Sequence, residues 1–177
     1  QQSTGIPRIE LVNDFAVLIY GLPHLAPEQQ APIRSGIGQA DAPLLILGAG
    51  TGLGVAYGVP SQGGLVAVAS EGAHGEFAPR SSAEWELKQW LARERGLERV
   101  SIERVVSGTG LGEVARWLLH IRHPNGDHPL SAHTKGDDLP AAVAAAATQG
   151  ETLARDALSL WIGCYGSVCG DLALAGL

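Results

Sequence analysis

The sequence predicts an α/β fold in which a three-stranded antiparallel meander is followed by helices. Apolar runs at residues 44–47, 53–59 and 65–69 are separated by glycine-rich turns, a pattern typical of an antiparallel meander. After residue 81, apolar residues recur at helical spacing between capping and stop signals. Of the 177 residues, 45% are hydrophobic and 17% are charged, so the chain can bury a core.

Charge and hydropathy exclude several functional classes. The chain has 12 Lys and Arg against 18 Asp and Glu, with no basic run, which argues against nucleic-acid and anionic-membrane surfaces. The longest nearly apolar stretch, residues 139–147, is far shorter than the roughly 18 residues that span a bilayer. Cys164 and Cys169 fit neither a disulfide framework nor a Cys-x-x-Cys site. They predict reduced thiols in the core of a cytoplasmic protein.

The first predicted elements surround a pair of polar residues. Residues 8–12 predict a strand and residues 15–20 a helix, with Asn13 and Asp14 between them. A carboxylate at the end of a strand can take a proton from a hydroxyl group, whereas both residue types also favour the N-cap of a helix. Residues 23–41, rich in Pro, Gln, Ala and Gly, predict a connection and a domain boundary.

A glycine-rich turn joins the first two predicted strands. Residues 48–54 read Gly-Ala-Gly-Thr-Gly-Leu-Gly, which matches neither a Walker A motif nor Gly-x-Gly-x-x-Gly. Such a turn can point several backbone N–H groups and the Thr51 hydroxyl at one phosphate. A plain glycine-rich hairpin turn is the alternative explanation of the same residues.

The part of the chain after the meander is mostly helical by its pattern. It predicts helices over residues 81–96, 108–121, 140–149 and 151–175. The first is bounded by a Ser81-x-x-Glu84 capping box and by Gly96, and the last is expected to be mostly buried. Residues 100–106 suit either a strand or a short helix, and residues 123–138 predict a surface loop.

Acidic and imidazole side chains on the loop at residues 71–79 can bind a sugar. Glu71 and His74 lie three residues apart beside glycines, and both can hydrogen-bond a polyol. Metal binding is disfavoured, because the sequence has no His-x-x-x-His pair. Glu103 stands next to Arg104 and by itself predicts a surface ion pair.

Four segments, taken in order, closely resemble the bacterial glucokinase family. They are residues 11–15 (Leu-Val-Asn-Asp-Phe), 48–56 (Gly-Ala-Gly-Thr-Gly-Leu-Gly-Val-Ala), 71–79 (Glu-Gly-Ala-His-Gly-Glu-Phe-Ala-Pro) and 100–108 (Val-Ser-Ile-Glu-Arg-Val-Val-Ser-Gly). The resemblance covers essentially the whole chain. It implies an actin-like, ribonuclease-H-like ATPase fold of two α/β lobes with a cleft between them. Residues 1–24 are then the end of the small lobe and residues 25–177 most of the large lobe.

The same resemblance implies transfer of the γ-phosphoryl group of ATP to the 6-hydroxyl of glucose, with Mg²⁺. The family's catalytic base falls on Asp14, which would accept the proton of the sugar hydroxyl. The sugar-binding positions fall on Asn13, Asp14, Glu71, His74 and Glu103. The second phosphate-binding turn falls on Gly50, Thr51 and Gly52. The resemblance also implies glucose and ATP as partners and a homodimer as the family's common assembly.

The chain departs from the family's pattern at single positions and in what it contains. Thr109 stands where Pro is usual, Ala73 where Gly is common and Asp171 where Asn is frequent. The family's Asp-x-Gly-Gly-Thr motif and its Gly-Gly-rich adenosine motif are not in the sequence, and neither is any Met. These departures predict an internal piece of a glucokinase, which alone binds sugar poorly, binds ATP worse and is inactive.

Two other functions fit the same residues. A sugar sensor on this scaffold would bind glucose without phosphorylating it, although related repressors carry a DNA-binding region that the sequence does not show. A kinase for a broader range of hexoses is the second alternative. The residues rank neither glucose against mannose or glucosamine nor ATP against polyphosphate.

Overall fold

The computed structural model describes Gly5, residues 11–39 and residues 41–176. Its elements are α1 (Asp14–Gly21), β1 (Leu44–Ala49), β2 (Leu53–Ser61), β3 (Gly64–Ser70), α2 (Ser82–Arg95), α3 (Ile102–Val105), α4 (Gly108–Arg122), α5 (Leu139–Thr148) and α6 (Thr152–Ala175). The α/β class, the first helix and the three strands are confirmed. Of the strand predicted at residues 8–12, residues 8–10 lie outside the described residues, and Leu11 and Val12 have no regular structure.

The sheet is an antiparallel meander in the order β1-β2-β3, as the sequence predicts. The last residue of β1, Ala49, pairs with the first residue of β2, Leu53, which leaves a turn at residues 50–52. The last residue of β3, Ser70, pairs with Val55 near the start of β2. The turn and the end of β3 therefore lie at the same end of the sheet.

The two faces of the sheet pack against different elements. On one face, Leu53 and Val55 join the main core, which continues through the helices that follow the sheet. The other face carries glycines, and α1 packs directly on it, with contacts to all three strands. Because side chains of a strand alternate between faces, Leu53 and Val55 serve the core while Gly54 and Gly58 of the same strand lie under α1.

A local cap fixes the start of α2, and Gly96 ends the helix. Ser81 Oγ accepts a hydrogen bond from Glu84 N at 3.2 Å, and Gly96 has a left-handed φ of 60°. The other half of the predicted capping box, a hydrogen bond from Ser81 N to the Glu84 carboxylate, is not formed. The carboxylate accepts a hydrogen bond from Arg80 N instead, at 2.7 Å. Burial raises the pKa of the Glu84 carboxyl, but the hydrogen bonds and charge of Arg80 outweigh it and hold the pKa below its usual value.

The segment whose structure the sequence left open contains both alternatives. Ser101 pairs with Glu76 in an isolated antiparallel bridge, and α3 begins at the next residue, Ile102. The loop at residues 123–138 is confirmed and includes one 3₁₀ turn, Pro129–His133.

The last helix, α6, is one continuous helix of 24 residues and is less buried than the sequence predicts. Within the described part of the chain it is the one helix long and apolar enough to cross a membrane, with 17% of the relevant window buried. This finding corrects the estimate that residues 139–147 are the longest apolar stretch. A packing helix can have the same length and composition, and α6 packs on α4, α5 and β1.

The two cysteines lie on α6 and are free. Cys164 is buried as predicted, whereas Cys169 is only half-buried. Burial raises the pKa of the Cys164 thiol to about 12, so this side chain stays a protonated core residue at neutral pH.

Candidate active site

The turn at residues 50–52, called the glycine turn below, is held against the N-terminus of α4. Gly108 N donates a hydrogen bond to Gly50 O at 2.7 Å, and Thr109 Oγ1 donates to Thr51 O at 2.9 Å. A Cβ at position 108 would lie 2.8 Å from Gly50 O, so glycine at this position permits the close approach. The two bonds fix the turn from its helical side.

Glu103 on α3 holds the other end of the glycine turn. Its Oε2 accepts a hydrogen bond from Leu53 N at 2.9 Å. A Cβ at Gly52 would lie 2.5 Å from the same oxygen, so the carboxylate lies directly against the turn. The surface ion pair that the sequence predicts between Glu103 and Arg104 is not formed among the described residues. The position of Glu103 therefore links the predicted sugar side of the site to its predicted phosphate side.

A cleft of about 680 Å³ opens beside the glycine turn. Thr51 and Thr109 line one side of it, Pro140 at the start of α5 lines another, and Arg116 reaches it from α4. The N-termini of α4 and α5 both border this cleft, and a helix N-terminus carries partial positive charge. These dipoles favour an anion such as a phosphate group, although the lining also includes the Asp137 carboxylate, and Arg116 is already paired with Glu113.

Asn13 and Asp14 lie at the exposed N-terminus of α1. Asn13 Oδ1 accepts a hydrogen bond from Ala16 N at 2.9 Å, and Asp14 Oδ1 accepts one from Phe15 N at 2.9 Å. The helix-cap alternative is thus confirmed for Asn13. A cap uses only one oxygen of each side chain, so it is compatible with binding a sugar hydroxyl through the other polar atom.

Phe15 positions the start of α1 on the sheet. Its ring lies over Gly48 and Gly54, which are partners in the β1–β2 register. A Cβ built at either glycine would lie closer to the ring carbons than van der Waals contact allows. Further along α1, Ile19 lies over Gly58 in the same way. The glycines therefore let α1 approach the sheet closely and place Asp14 near the end that carries the glycine turn.

Glu71 and His74 lie directly after β3, and their side chains contact each other. His74 Nε2 is 3.4 Å from Glu71 Oε2, and both side chains are largely exposed. Backbone bonds tie their loop to the segment before α3, because Ile102 N donates to Gly75 O at 2.8 Å and Arg99 donates to His74 O at 2.6 Å. The loop is thereby fixed beside the residue that precedes Glu103.

All eight residues predicted for the site lie at one end of the sheet. The glycine turn and Glu103 are in direct contact, Glu71 pairs with His74, and Asn13 and Asp14 form the start of α1. The structure thus contains three small groups around one end, with carboxylates on both faces of the sheet. Such an arrangement can hold a phosphate on the turn and a polyhydroxyl compound among the carboxylates.

Sequence reasoning did not identify the residues that support these groups. The sequence predicts Phe15 as part of an apolar helix and Gly48 and Gly54 as parts of a turn and a strand. It gives Thr109 no role beyond a helix start and a departure from a usual Pro, yet the Thr109 hydroxyl donates to the glycine turn, which a proline cannot do. The available signals are Gly54 and Gly58, which are four residues apart and so share one face of β2, and a hydroxyl residue beside the cap of α4.

The fold and the site together define the class of protein. The chain has the α/β fold of the actin-like ATPases, with a three-stranded antiparallel meander followed by packed helices. The family model for glucokinase matches the whole chain, residues 1–177. The chain therefore belongs to the glucokinase family.

Curated relatives agree with this family. A glucokinase of Synechocystis is 40% identical over 187 residues, covering 98% of this chain and 52% of the relative. A glucokinase of Cupriavidus pinatubonensis is 37% identical, covering 98% of this chain and 48% of the relative. The chain thus spans about half the length of the curated relatives it matches.

Solved structures show the same fold. The crystal structure of a glucokinase from an Antarctic psychrotroph matches 99% of this chain and 51% of its own length, with a TM-score of 0.78 and 28% identity. A glucokinase from Balamuthia mandrillaris in complex with glucose matches 78% of this chain and 38% of its own length, with a TM-score of 0.61. The latter is 22% identical and supports the fold alone.

Proposed function

We propose that this chain supplies the glucose-binding and phosphate-binding residues of an enzyme that transfers the γ-phosphoryl group of ATP to the 6-hydroxyl of glucose. The observation that carries the proposal is the contact between Glu103 and the glycine turn at the end of the sheet where α1 presents Asp14. Sugar and phosphate positions are adjacent there, as a direct transfer between them requires.

Asp14 acts in this proposal as the general base. A sugar hydroxyl is a weak nucleophile, and a carboxylate within hydrogen-bond reach accepts its proton as the bond to phosphorus forms. Asp14 is exposed at a helix N-terminus, so an incoming hydroxyl can reach its carboxylate. Asn13, its neighbour, would bind a sugar hydroxyl through the side-chain amide.

Glu71, His74 and Glu103 select the sugar. Carboxylate and imidazole groups that hydrogen-bond several hydroxyls reject a sugar that leaves one of them unpaired. The contact between Glu71 and His74 orients both groups before the sugar binds. Glu103 keeps one carboxylate oxygen on Leu53 N and offers the other to the ligand.

Gly50, Thr51 and Gly52 hold the transferred phosphate, helped by the helix N-termini that border the cleft. Mg²⁺ belongs to the proposal as the counter-ion of the ATP substrate. The described residues contain no group of three or more His, Cys, Asp or Glu side chains that could hold a metal ion. The steps assigned to this chain are proton acceptance, sugar binding and phosphate orientation.

Exchanging Asp14 for Asn in the complete protein tests the proposal. We expect kcat to fall by about two to four orders of magnitude, because the base is lost, while glucose binding is largely retained. Asp41→Asn, at an exposed aspartate away from the turn, is the matched control and should leave kcat unchanged. Near-normal turnover by Asp14→Asn would reject Asp14 as the base.

A second substitution separates sugar binding from chemistry. Glu71→Gln should raise KM for glucose much more than KM for ATP, because it weakens only the sugar-binding group. An equal rise in both constants would remove Glu71 from the sugar site. Mannose and glucosamine assayed alongside glucose would then show which hexose the group favours.

The location and assembly of the enzyme are part of the same proposal. We infer a cytoplasmic protein, supported by two cysteines that are both free. A homodimer and a lobe boundary near residue 24 are the accompanying expectations. Light scattering on the complete protein measures the assembly, and a monomer would reject the dimer.

A further inference from the structure

A second cleft, called the α2–α4 cleft below, lies at the C-terminal ends of these two helices. Its volume is about 410 Å³, and the loop after α4 forms one wall. The residues that matter for its chemistry are Trp90, Arg95, Arg116, His120, Ser131 and Thr134. None of the residues predicted for the active site lines it.

Two buried polar atoms without partners belong to residues that line this cleft. Among the described residues, three buried side-chain atoms have no hydrogen-bond partner: Trp90 Nε1, Ser131 Oγ and Glu113 Oε2. Trp90 and Ser131 line the cleft itself, and Trp90 is only 8% exposed. Glu113 does not line this cleft. Because leaving a buried polar atom unpaired costs stability, Trp90 Nε1 and Ser131 Oγ are the two atoms here that would gain from a hydrogen-bond partner.

The wall of the cleft carries several hydrogen-bond donors and one exposed carboxylate, that of Glu94. The indole N–H of Trp90 can only donate, and a serine hydroxyl can donate as well. Glu113 Oε1 is 2.7 Å from Arg95 Nη2 and 3.4 Å from Arg116 Nη1, so one buried carboxylate fixes two guanidinium groups. Arg95 uses one nitrogen for this contact and is 39% exposed, which leaves other N–H groups at the cleft.

Arg116 is held more tightly than Arg95. Its Nε donates to Thr134 O at 2.8 Å, and its Nη2 donates to Gly136 O at 3.2 Å. These bonds fasten the loop that covers the cleft, so the cleft is formed before any ligand arrives. A preformed site loses less conformational entropy when it binds.

We propose that the α2–α4 cleft binds a small metabolite through an oxyanion, either a carboxylate or a phosphate group. The oxyanion accepts hydrogen bonds from Trp90 Nε1, Ser131 Oγ and Arg95. Planar guanidinium and indole donors suit such a group, because each oxyanion oxygen accepts several hydrogen bonds. This site is separate from the cleft beside the glycine turn. Arg116 is the residue that lines both.

Tryptophan indole signals in a ¹⁵N-edited NMR titration of the protein test the proposal. Inorganic phosphate and succinate are added in separate titrations, which distinguishes the two oxyanion sources. We expect the Trp90 Nε1–H signal to shift saturably with at least one of them. The Trp85 signal is the internal control, because Trp85 lies on the same helix but is 55% exposed and away from the cleft.

Two conservative variants make the test specific. Ser131→Ala and Arg95→Gln should each raise the Kd read from the Trp90 signal by about tenfold, the loss expected for one hydrogen bond to a charged group. Trp85→Phe should leave that Kd unchanged, and the indole signal that it removes is thereby assigned to Trp85. Trp90→Phe should remove the shifting signal and no other.

Three results would overturn the proposal. A Trp90 signal that stays in place up to about 10 mM of either anion would mean that ordered water fills the cleft. Equal shifts of the Trp90 and Trp85 signals would mean non-specific surface binding. An unchanged Kd in both Ser131→Ala and Arg95→Gln would place the anion elsewhere.

Discussion

The two faces of the sheet are built in different ways. The face toward the later helices is filled by large side chains such as Leu53 and Val55, which belong to one continuous core. The face toward α1 presents Gly48, Gly54 and Gly58, and α1 itself buries only Ala16 and Ile19. One face is stabilised by hydrophobic volume, and the other by the close approach of a helix to bare backbone.

This difference separates stability from positioning. The core face carries most of the buried apolar area, whereas the α1 face carries the proposed base. Although α1 buries few side chains, it is positioned closely on the sheet because the Phe15 ring packs against Gly48 and Gly54. We therefore expect mutations on the core face to act on unfolding and mutations on the α1 face to act on activity.

The largest effect on stability is expected on the core face. Leu53→Ala removes a buried side chain and should lower the free energy of unfolding by about 2–5 kcal/mol. The kcat of the molecules that remain folded should change little, because the bond from Leu53 to Glu103 uses the backbone N–H. Urea unfolding and steady-state kinetics measure both quantities. A loss below about 1 kcal/mol would show that the site collapses around the cavity.

A smaller loss of stability with a larger loss of activity is expected on the α1 face. Gly54→Ala creates a steric overlap with the Phe15 ring. It should lower the free energy of unfolding by about 1–3 kcal/mol as α1 moves away from the sheet. The displacement should lower kcat, because Asp14 moves with Phe15. Gly63→Ala is the control, since a Cβ there meets nothing within 4 Å. If Gly54→Ala keeps full kcat, the ring does not position Asp14.

Removing the hydrogen bond between α4 and the glycine turn should lower stability less than the two substitutions above. Thr109→Val removes the hydroxyl that donates to Thr51 O, and should cost about 0.5–1.5 kcal/mol. Because this bond fixes the glycine turn, we expect KM for ATP to rise while KM for glucose stays the same. Thr109→Ser keeps the hydroxyl and should behave like the unmodified protein. Identical kinetics of the Val and Ser variants would remove Thr109 from the turn's support.

The smallest expected effect on stability is the pH dependence that comes from the ion pair between Glu84 and Arg80. The pKa of Glu84 is lower in the folded protein than its usual value of 4.5. The stabilisation is therefore complete above that value and is lost as the pH falls through the lower folded pKa. Glu84→Gln should flatten this part of the stability curve between about pH 5 and 3 in urea unfolding. An unchanged slope would assign the acid sensitivity to other carboxyl groups.

Local patterns predicted most of the fold because they act over short distances. The meander, the cap at Ser81 and the stop at Gly96 each depend on a few neighbouring residues, and all are present. The reciprocal capping bond failed because Arg80, outside the motif, offers Glu84 a charged partner. The burial of α6 was overestimated because composition does not say how many neighbours a helix has.

Local patterns are enough to predict the fold class, most elements, the position of the glycine turn and the residues that resemble a glucokinase site. How these residues meet depends on the packing of distant elements. Leu53 and Glu103 are 50 positions apart along the chain, and the Phe15 ring lies on glycines of the two strands that follow α1. Such contacts depend on how closely whole elements pack, and that distance is set by side-chain volume across an interface, not by the periodicity of either segment.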